Sequence, residues 1–389
     1  MTIDGDASPG SDAPAAYGGS GPDVGELHSG TGPDPGEALA ERLFTSLVPA
    51  LELLTIELGR RLGFYARIQE AGDVSAGELA ALSGTSPRYA REWLEQQAAA
   101  GILAVDGGAG DARRYALPAA HVPVMLDVRN PLHTMGAPTM FTGVATTFDA
   151  VVDAFASGTG VAFAKFGPGV RHGLEIFNRP AYANDLADWM THVPDVSERL
   201  AGGGRIVDAG CGTGWSTVAL AEAFPLAEVI GIDLDAASIA EAQEHAEEAG
   251  VRARVHFVRA DAGDADALRA AVGGPAQLVT IFEALHDMLD PERVLGALAS
   301  LLDEGGVILV GDEQVADEFT APAEFLDRLN YAFSVLHCLP ATIAEGEGDA
   351  NGTVLRAPTL ERWAKGAGLS GFERLAIDHD FWSFYRLSP

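Results

Sequence analysis

The segment Asp208-Ala209-Gly210-Cys211-Gly212-Thr213-Gly214 sets one acid and three alternating glycines between an apolar run, Arg205-Ile206-Val207, and a helical pattern, Ser216 to Ala221. Strand, tight turn and helix start, in that order, make a cradle for a nucleotide-like ligand. The spacing narrows the choice of ligand. A dinucleotide fingerprint, G-x-G-x-x-G, rests a pyrophosphate on the helix N-terminus. Here the third glycine comes one position early, and Trp215 stands where that fingerprint has glycine. Asp208 would repel a pyrophosphate. It suits a cationic ligand, from whose ammonium group it can accept hydrogen bonds directly or through water. A second reactive group lies downstream in Leu285-His286-Asp287. Histidine is the side chain best suited to take a proton near neutral pH, and Asp287 or another acid can orient it.

These groups must be positioned by strands. Glu228 to Ile232 is a second apolar run and ends at Asp233, where an acid can bind ribose hydroxyls. Leu234 follows, placed to lie against an adenine face. The third run, Val255 to Val258, leads to Asp261-Ala262, where a carboxylate can accept from an adenine amino group. The fourth, Gln277 to Phe282, ends at Glu283, a competing base that more naturally contacts the donor or the histidine. A fifth, Gly306 to Val310, is followed by Asp312-Glu313, which can face the same pocket. Phe372 to Ile377 and Phe381 to Leu387 form a closing antiparallel pair. All the acids fall at carboxyl ends of strands, where open α/β sheets bind ligands.

The set Asp208, Gly210, Gly212, Gly214, Asp233 and Asp261 resembles class I methyltransferases that depend on S-adenosylmethionine (SAM). The resemblance implies an α/β fold, a seven-stranded Rossmann-like methyltransferase sheet. It implies SAM as cofactor, held by those residues with Leu234 and Ala262. With Leu285-His286-Asp287, a winged-helix front and Phe177-Asn178, the chain further resembles small-molecule O-methyltransferases of the caffeate/hydroxyneurosporene type. In that family the histidine is the general base, so His286 takes that role, with Glu283 as the competing candidate. The family's front domain mediates homodimerisation. The chain departs from the family at Met288, where tryptophan is usual. Leu336 to Pro340 and Asp380 to Tyr385 look closer to a bacterial two-domain group. Methyl transfer is an in-line displacement on a cationic donor; it needs alignment, dryness and a base, and no metal is expected.

The chain has 389 residues, enough for two domains and a tail, and 47% hydrophobic residues, enough for a sizeable core. Its formal net charge of −31 opposes binding to nucleic acid or an anionic membrane. Two cysteines without metal-ligand spacing fit a reduced, cytoplasmic protein, and no run has membrane-spanning length. Residues 1–36, rich in Gly, Pro, Ser and Asp, read as a disordered tail. Residues 37–127 read as a winged-helix-like dimerisation domain. Its leucine-rich pattern runs to about Arg67, a Ser75–Glu78 capping box and Pro87 open two further helices, and a hairpin follows. Residues 128–203 read as a helical bridge. Residues 204–389 read as the SAM-binding domain, with an insertion at 312–357 expected to cover the acceptor. Two other readings remain: a SAM-binding protein that does not methylate, and a winged-helix transcriptional regulator. The second is opposed by Glu92 and Glu95 beside Arg88 and Arg91 on the presumed recognition helix.

Overall fold

The computed structural model describes residues 34–389. The expected disordered tail therefore lies outside the described residues except at its end, where Pro35 and Gly36 are already helical. The chain divides into two compact units, one reaching Pro49 and one running from Ala50 to Pro389. The first contributes the helix Pro35–Thr45, capped by Asp34, whose carboxylate accepts from the Gly36 amide.

The leucine-rich pattern is broken into three helices, Pro35–Thr45, Leu47–Arg61 and Phe64–Ala71. Pro49 has no amide hydrogen to offer the Thr45 carbonyl, so the first helix stops there. Gly63 sits at φ 63°, a left-handed conformation that ends the second. With Ala76–Ser83, Pro87–Ala99 and a short hairpin of β1 (Ala104–Val105) and β2 (Tyr115–Ala116), the order is that of a winged helix. The capping box is present: Ser75 Oγ accepts from the Glu78 amide, and the Glu78 carboxylate accepts from the Ser75 amide. Phe64, Ile68, Leu79, Leu94 and Leu103 close a separate core around Trp93.

The larger domain is built on seven strands: β3 (Gly204–Ala209), β4 (Ala227–Asp233), β5 (Val255–Arg259), β6 (Ala276–Phe282), β7 (Leu302–Glu313), β8 (Gly371–Leu375) and β9 (Trp382–Ser388). Their order is β5-β4-β3-β6-β7-β9-β8, parallel except for β9, which runs antiparallel to both neighbours. β7 begins earlier than its apolar run, and β8 stops before Ile377. Apolar side chains cover both faces, giving two core clusters. Strand order reverses between β3 and β6, which opens a crevice at their carboxyl ends. Residues 128–203 are helical with no strand among the described residues, the longest helix being Phe163–Asn184. The insertion after β7 is also helical: Phe325–Phe333, a π-turn at Ser334–Cys338, and Leu339–Ile343.

Candidate functional site

The glycine turn is tied to the neighbouring strand. The amides of Gly210 and Cys211 both donate to the Ile232 carbonyl, at 2.8 and 3.0 Å. The Gly212 amide donates to Asp233 Oδ2 and the Asp235 amide to Asp233 Oδ1, each at 2.8 Å. All three motif glycines have left-handed φ, but for different spatial reasons. A Cβ on Gly214 would strike the Phe257 ring at 2.8 Å, and one on Gly210 would strike Ala284 at 2.5 Å. A Cβ on Gly212 would meet nothing within 4 Å, so this glycine faces open space above the strand ends.

Asp208 lies beneath the turn, fully buried. Its Oδ2 accepts from Ser216 Oγ and Thr217 Oγ1, both at 2.6 Å, and its Oδ1 from Thr280 Oγ1 at 2.8 Å. The carboxylate thereby ties β3, β6 and the first turn of helix Trp215–Ala223 together. Burial pushes its pKa upward, against the pull of the three hydroxyls. Asp233 is pushed up to about 6, chiefly by burial. Leu234 is exposed beside it. Asp261 is exposed, accepts from the Gly263 amide at 2.7 Å and pairs with Arg293 at 3.2 Å. Ala262 packs half-buried against the core below. Trp215 is held sideways: its Nε1 donates to Glu175 at 2.9 Å, its ring stacks on His245, and the Arg179 guanidinium lies 3.4 Å over its centre.

The second half of the site is ionisable. Glu283 follows β6 at φ 52°, a conformation uncommon for any residue but glycine, and its amide bonds the Gly311 carbonyl at 2.7 Å. Asn178, on the long bridge helix, donates to the Glu283 carboxylate. Glu313 acts directly on Glu283, and burial raises both carboxyls, Glu313 further. Two carboxylates this close favour holding one proton between them.

His286 occupies a one-turn helix, Leu285–Asp287, and is 2% exposed. Its Nδ1 lies 2.7 Å from Asp312 Oδ1 and its Nε2 lies 3.5 Å from Asp287 Oδ1. Burial opposes a charge on the ring, but Asp312 and Asp287 together outweigh it, and its pKa lies well above that of a free histidine. Thr342, on the insertion, donates to the Asp287 carbonyl at 3.0 Å. The insertion thus packs on the His286 turn. It also supplies His337, set edge-on to the rings of Phe163 and Phe166. Burial lowers the His337 pKa. Phe177 and Phe381 meet edge to face at 5.2 Å, while Tyr182, Trp189, Phe282 and Trp382 form an aromatic layer behind β6.

The fold thus gathers Asp208, Gly210, Gly212, Gly214 and Asp233 around one turn and places His286 with Glu283 at the end of β6. Asp312 is the acid that grips His286 Nδ1. Tyr182 carried no motif signal, and Cys338 stood out only within the stretch Leu336 to Pro340, with no role given to it; they arrive from the bridge and the insertion, and only side-chain packing brings them near.

A methyltransferase-domain family model matches residues 200–349, and a model of an Rv2258c-like winged helix-turn-helix domain matches residues 50–126. The ubiquinone biosynthesis O-methyltransferase of Bordetella avium is 30% identical over 179 residues, covering 45% of this chain and 69% of that protein. Its counterpart in Methylococcus capsulatus is 30% identical over 167 residues, covering 43% of this chain and 63% of that protein. An uncharacterized Synechococcus protein is 38% identical over 127 residues, covering 31% of this chain and 30% of its own length. The chain therefore spans less than two thirds of these last two relatives. Among solved structures, mitomycin 7-O-methyltransferase is similar with TM-score 0.61 and 20% identity, covering 91% of this chain and 99% of that one. Human N-acetylserotonin methyltransferase, solved in complex with SAM, is similar with TM-score 0.62 and 15% identity, covering 92% and 99%. At such identities the likeness is one of fold.

Proposed function

Because this chain belongs to the class I SAM-dependent methyltransferases, we propose that it transfers the methyl group of SAM to a hydroxyl oxygen of a small-molecule acceptor, with His286 as general base. The observation that carries this reading is the buried Asp312–His286 pair, 2.7 Å long, at the carboxyl end of β6.

The turn fits the donor. Gly212 leaves its upper face open, Asp233 presents a carboxylate beside it, and Leu234 offers an exposed apolar surface. In this reading Asp233 accepts from the ribose hydroxyls, Leu234 flanks the adenine, and Asp261 with Ala262 borders its amino edge. Asp208 acts from below by holding the turn in shape. When bound, SAM supplies an electrophilic methyl on a sulfonium. The chain's own residues do the rest. Asp312 fixes the imidazole through Nδ1 and leaves Nε2 as the atom that takes the acceptor proton. Glu283, steadied by Asn178, lines the path between turn and histidine. The aromatic residues and the insertion exclude water, which sharpens electrostatic effects inside.

The leucines of the helix Leu47–Arg61 support the homodimer reading. Leu51, Leu54 and Leu58 are exposed on one chain, and a second copy is the partner they suit. Nucleic acid is disfavoured because the front-domain cations face acids: Arg88 pairs with Glu92, Arg113 with Glu95, and Arg114 with Asp73 and Glu78. Two free buried cysteines suit the cytoplasm. Incubating the protein with SAM and a panel of phenols, amines and thiols, with S-adenosylhomocysteine as readout, tests the reading. Product with phenols supports it. Product only with amines would replace oxygen by nitrogen, and no turnover with any acceptor despite SAM binding would favour a protein that binds without methylating.

A further inference from the structure

The His286 turn brings together more than a base. A ring nitrogen of His286, a carboxylate oxygen of Asp287 and Cys338 Sγ lie within 4.8 Å of one another. With Nδ1 bonded to Asp312 and Nε2 3.5 Å from Asp287 Oδ1, the atoms that converge are Nε2, Oδ1 and Sγ. We infer that these three atoms form a site for a zinc-like divalent ion, whose binding switches off methyl transfer by occupying Nε2. The regulatory half of this inference rests on His286 being the base; the site itself rests on geometry.

The donor set is one nitrogen, one oxygen and one sulfur, which suits a borderline-soft ion and not magnesium or calcium. The separation of 3.5 Å between Nε2 and Asp287 Oδ1 is close to the edge of about 3.4 Å expected between two ligands about 2.1 Å from a tetrahedral ion. Asp287 Oδ1 is buried and, beyond its 3.5 Å ion pair with His286 Nε2, has no hydrogen-bond partner among the described residues; an ion held between the two atoms would give it a direct ligand bond. His286 carries the support that metal-bound histidines have: its other nitrogen bonds a buried carboxylate, Asp312. His337 Nδ1 lies 3.4 Å from Cys338 Sγ, placed to donate to a thiolate. Three protein ligands leave a fourth position for water. Cys338 ligates as thiolate and His286 through an unprotonated Nε2, so the thiol proton and the Nε2 proton both leave to solvent on binding. A second cluster, His172, Glu175 and Glu241, lacks these marks. Arg171 already pairs with Glu241 at 2.7 Å, and Trp215 donates to Glu175.

The chain has two cysteines, so sulfur ligation can be assigned by substitution. The full-length protein, stripped with a chelator, is titrated with cobalt(II) and followed in the near ultraviolet. The expected result is about one cobalt per chain with a sulfur-to-cobalt charge-transfer band, bleached by zinc. The band should vanish in Cys338→Ser and weaken in Asp287→Asn, each with unchanged circular dichroism. Absence of the band in the wild type, or its persistence in Cys338→Ser, overturns the site. Zinc should also inhibit methyl transfer, reversibly with chelator. A cobalt band with zinc-insensitive turnover would support the site and remove His286 from the base role instead.

Discussion

Asp312 Oδ1 lies 2.7 Å from His286 Nδ1, with both residues almost wholly buried. The carboxylate does two things at once. It orients the ring through Nδ1 and leaves Nε2 to face the acceptor, and it stabilises the protonated ring, raising its pKa well above that of a free histidine. A base must first lose that proton. Turnover should therefore rise with pH through a value above the ordinary histidine range. Asp312→Asn should lower turnover while moving that limb to lower pH. A pH–rate profile of kcat checks both, and a limb that stays in place in Asp312→Asn removes Asp312 from this role. The sign for stability follows from linkage. A raised histidine pKa contributes stability that is complete below the unfolded value near 6.5 and is lost as pH climbs through the folded one.

Donor binding should discharge that histidine. A sulfonium near the ring disfavours the imidazolium, so SAM is expected to release protons on binding and S-adenosylhomocysteine, which lacks the charge, to release fewer. Calorimetry in buffers of different ionisation enthalpy measures the difference. Equal proton release by the two ligands would contradict the placement of His286 near the methyl.

Asp233 sets a second pH dependence. Its carboxyl is pushed up to about 6, and only the ionised form accepts fully from two hydroxyls. SAM affinity should fall as pH drops through about 6, and Asp233→Asn should bind weakly at every pH. An affinity that is flat across this range in the wild type would mean that Asp233 does not hold the ribose.

The motif glycines should separate by substitution. Gly214→Ala drives a methyl into Phe257 and Ala242 and should lower thermal stability. Gly212→Ala meets no neighbour, so beyond the backbone strain at φ 51° its main effect should be loss of SAM affinity. Scanning fluorimetry with and without SAM distinguishes them. A Gly212→Ala protein that SAM stabilises as strongly as wild type would place the cofactor elsewhere.

Asp208→Ala should be costly without touching ligand directly. It takes the acceptor away from the buried Ser216 and Thr217 hydroxyls and leaves Thr280 only a long 3.5 Å contact to the Val207 carbonyl, a loss of about 3 kcal/mol. Urea denaturation without SAM measures it, and an unchanged midpoint would show that the turn does not lean on this carboxylate.

What the sequence made legible is local. The glycine turn, the acids closing β4 and β5 and the capping box at Ser75 are each set by a few adjacent residues, and the structure has them where their spacing implies. The leucine-rich pattern was less legible, because Pro49 and Gly63 cut one apolar period into three helices. The second half of the site depends on distant contacts. Asp312 reaches His286 across 26 positions and Asn178 reaches Glu283 across 105. No periodicity encodes such pairs; they arise because β7 lies beside β6 and the bridge helix crosses the strand ends. Asp208 shows the opposite limit. Its position by the turn suggests a ligand partner, yet three hydroxyls from two other elements occupy its oxygens.

The most direct test of the central claim is His286→Ala, assayed with an acceptor that the wild type methylates. S-adenosylhomocysteine formation should fall by about 10²–10⁴, while SAM affinity measured by calorimetry stays near the wild-type value. Turnover within a few-fold of wild type would contradict the claim and leave Glu283, or alignment alone, to account for the chemistry.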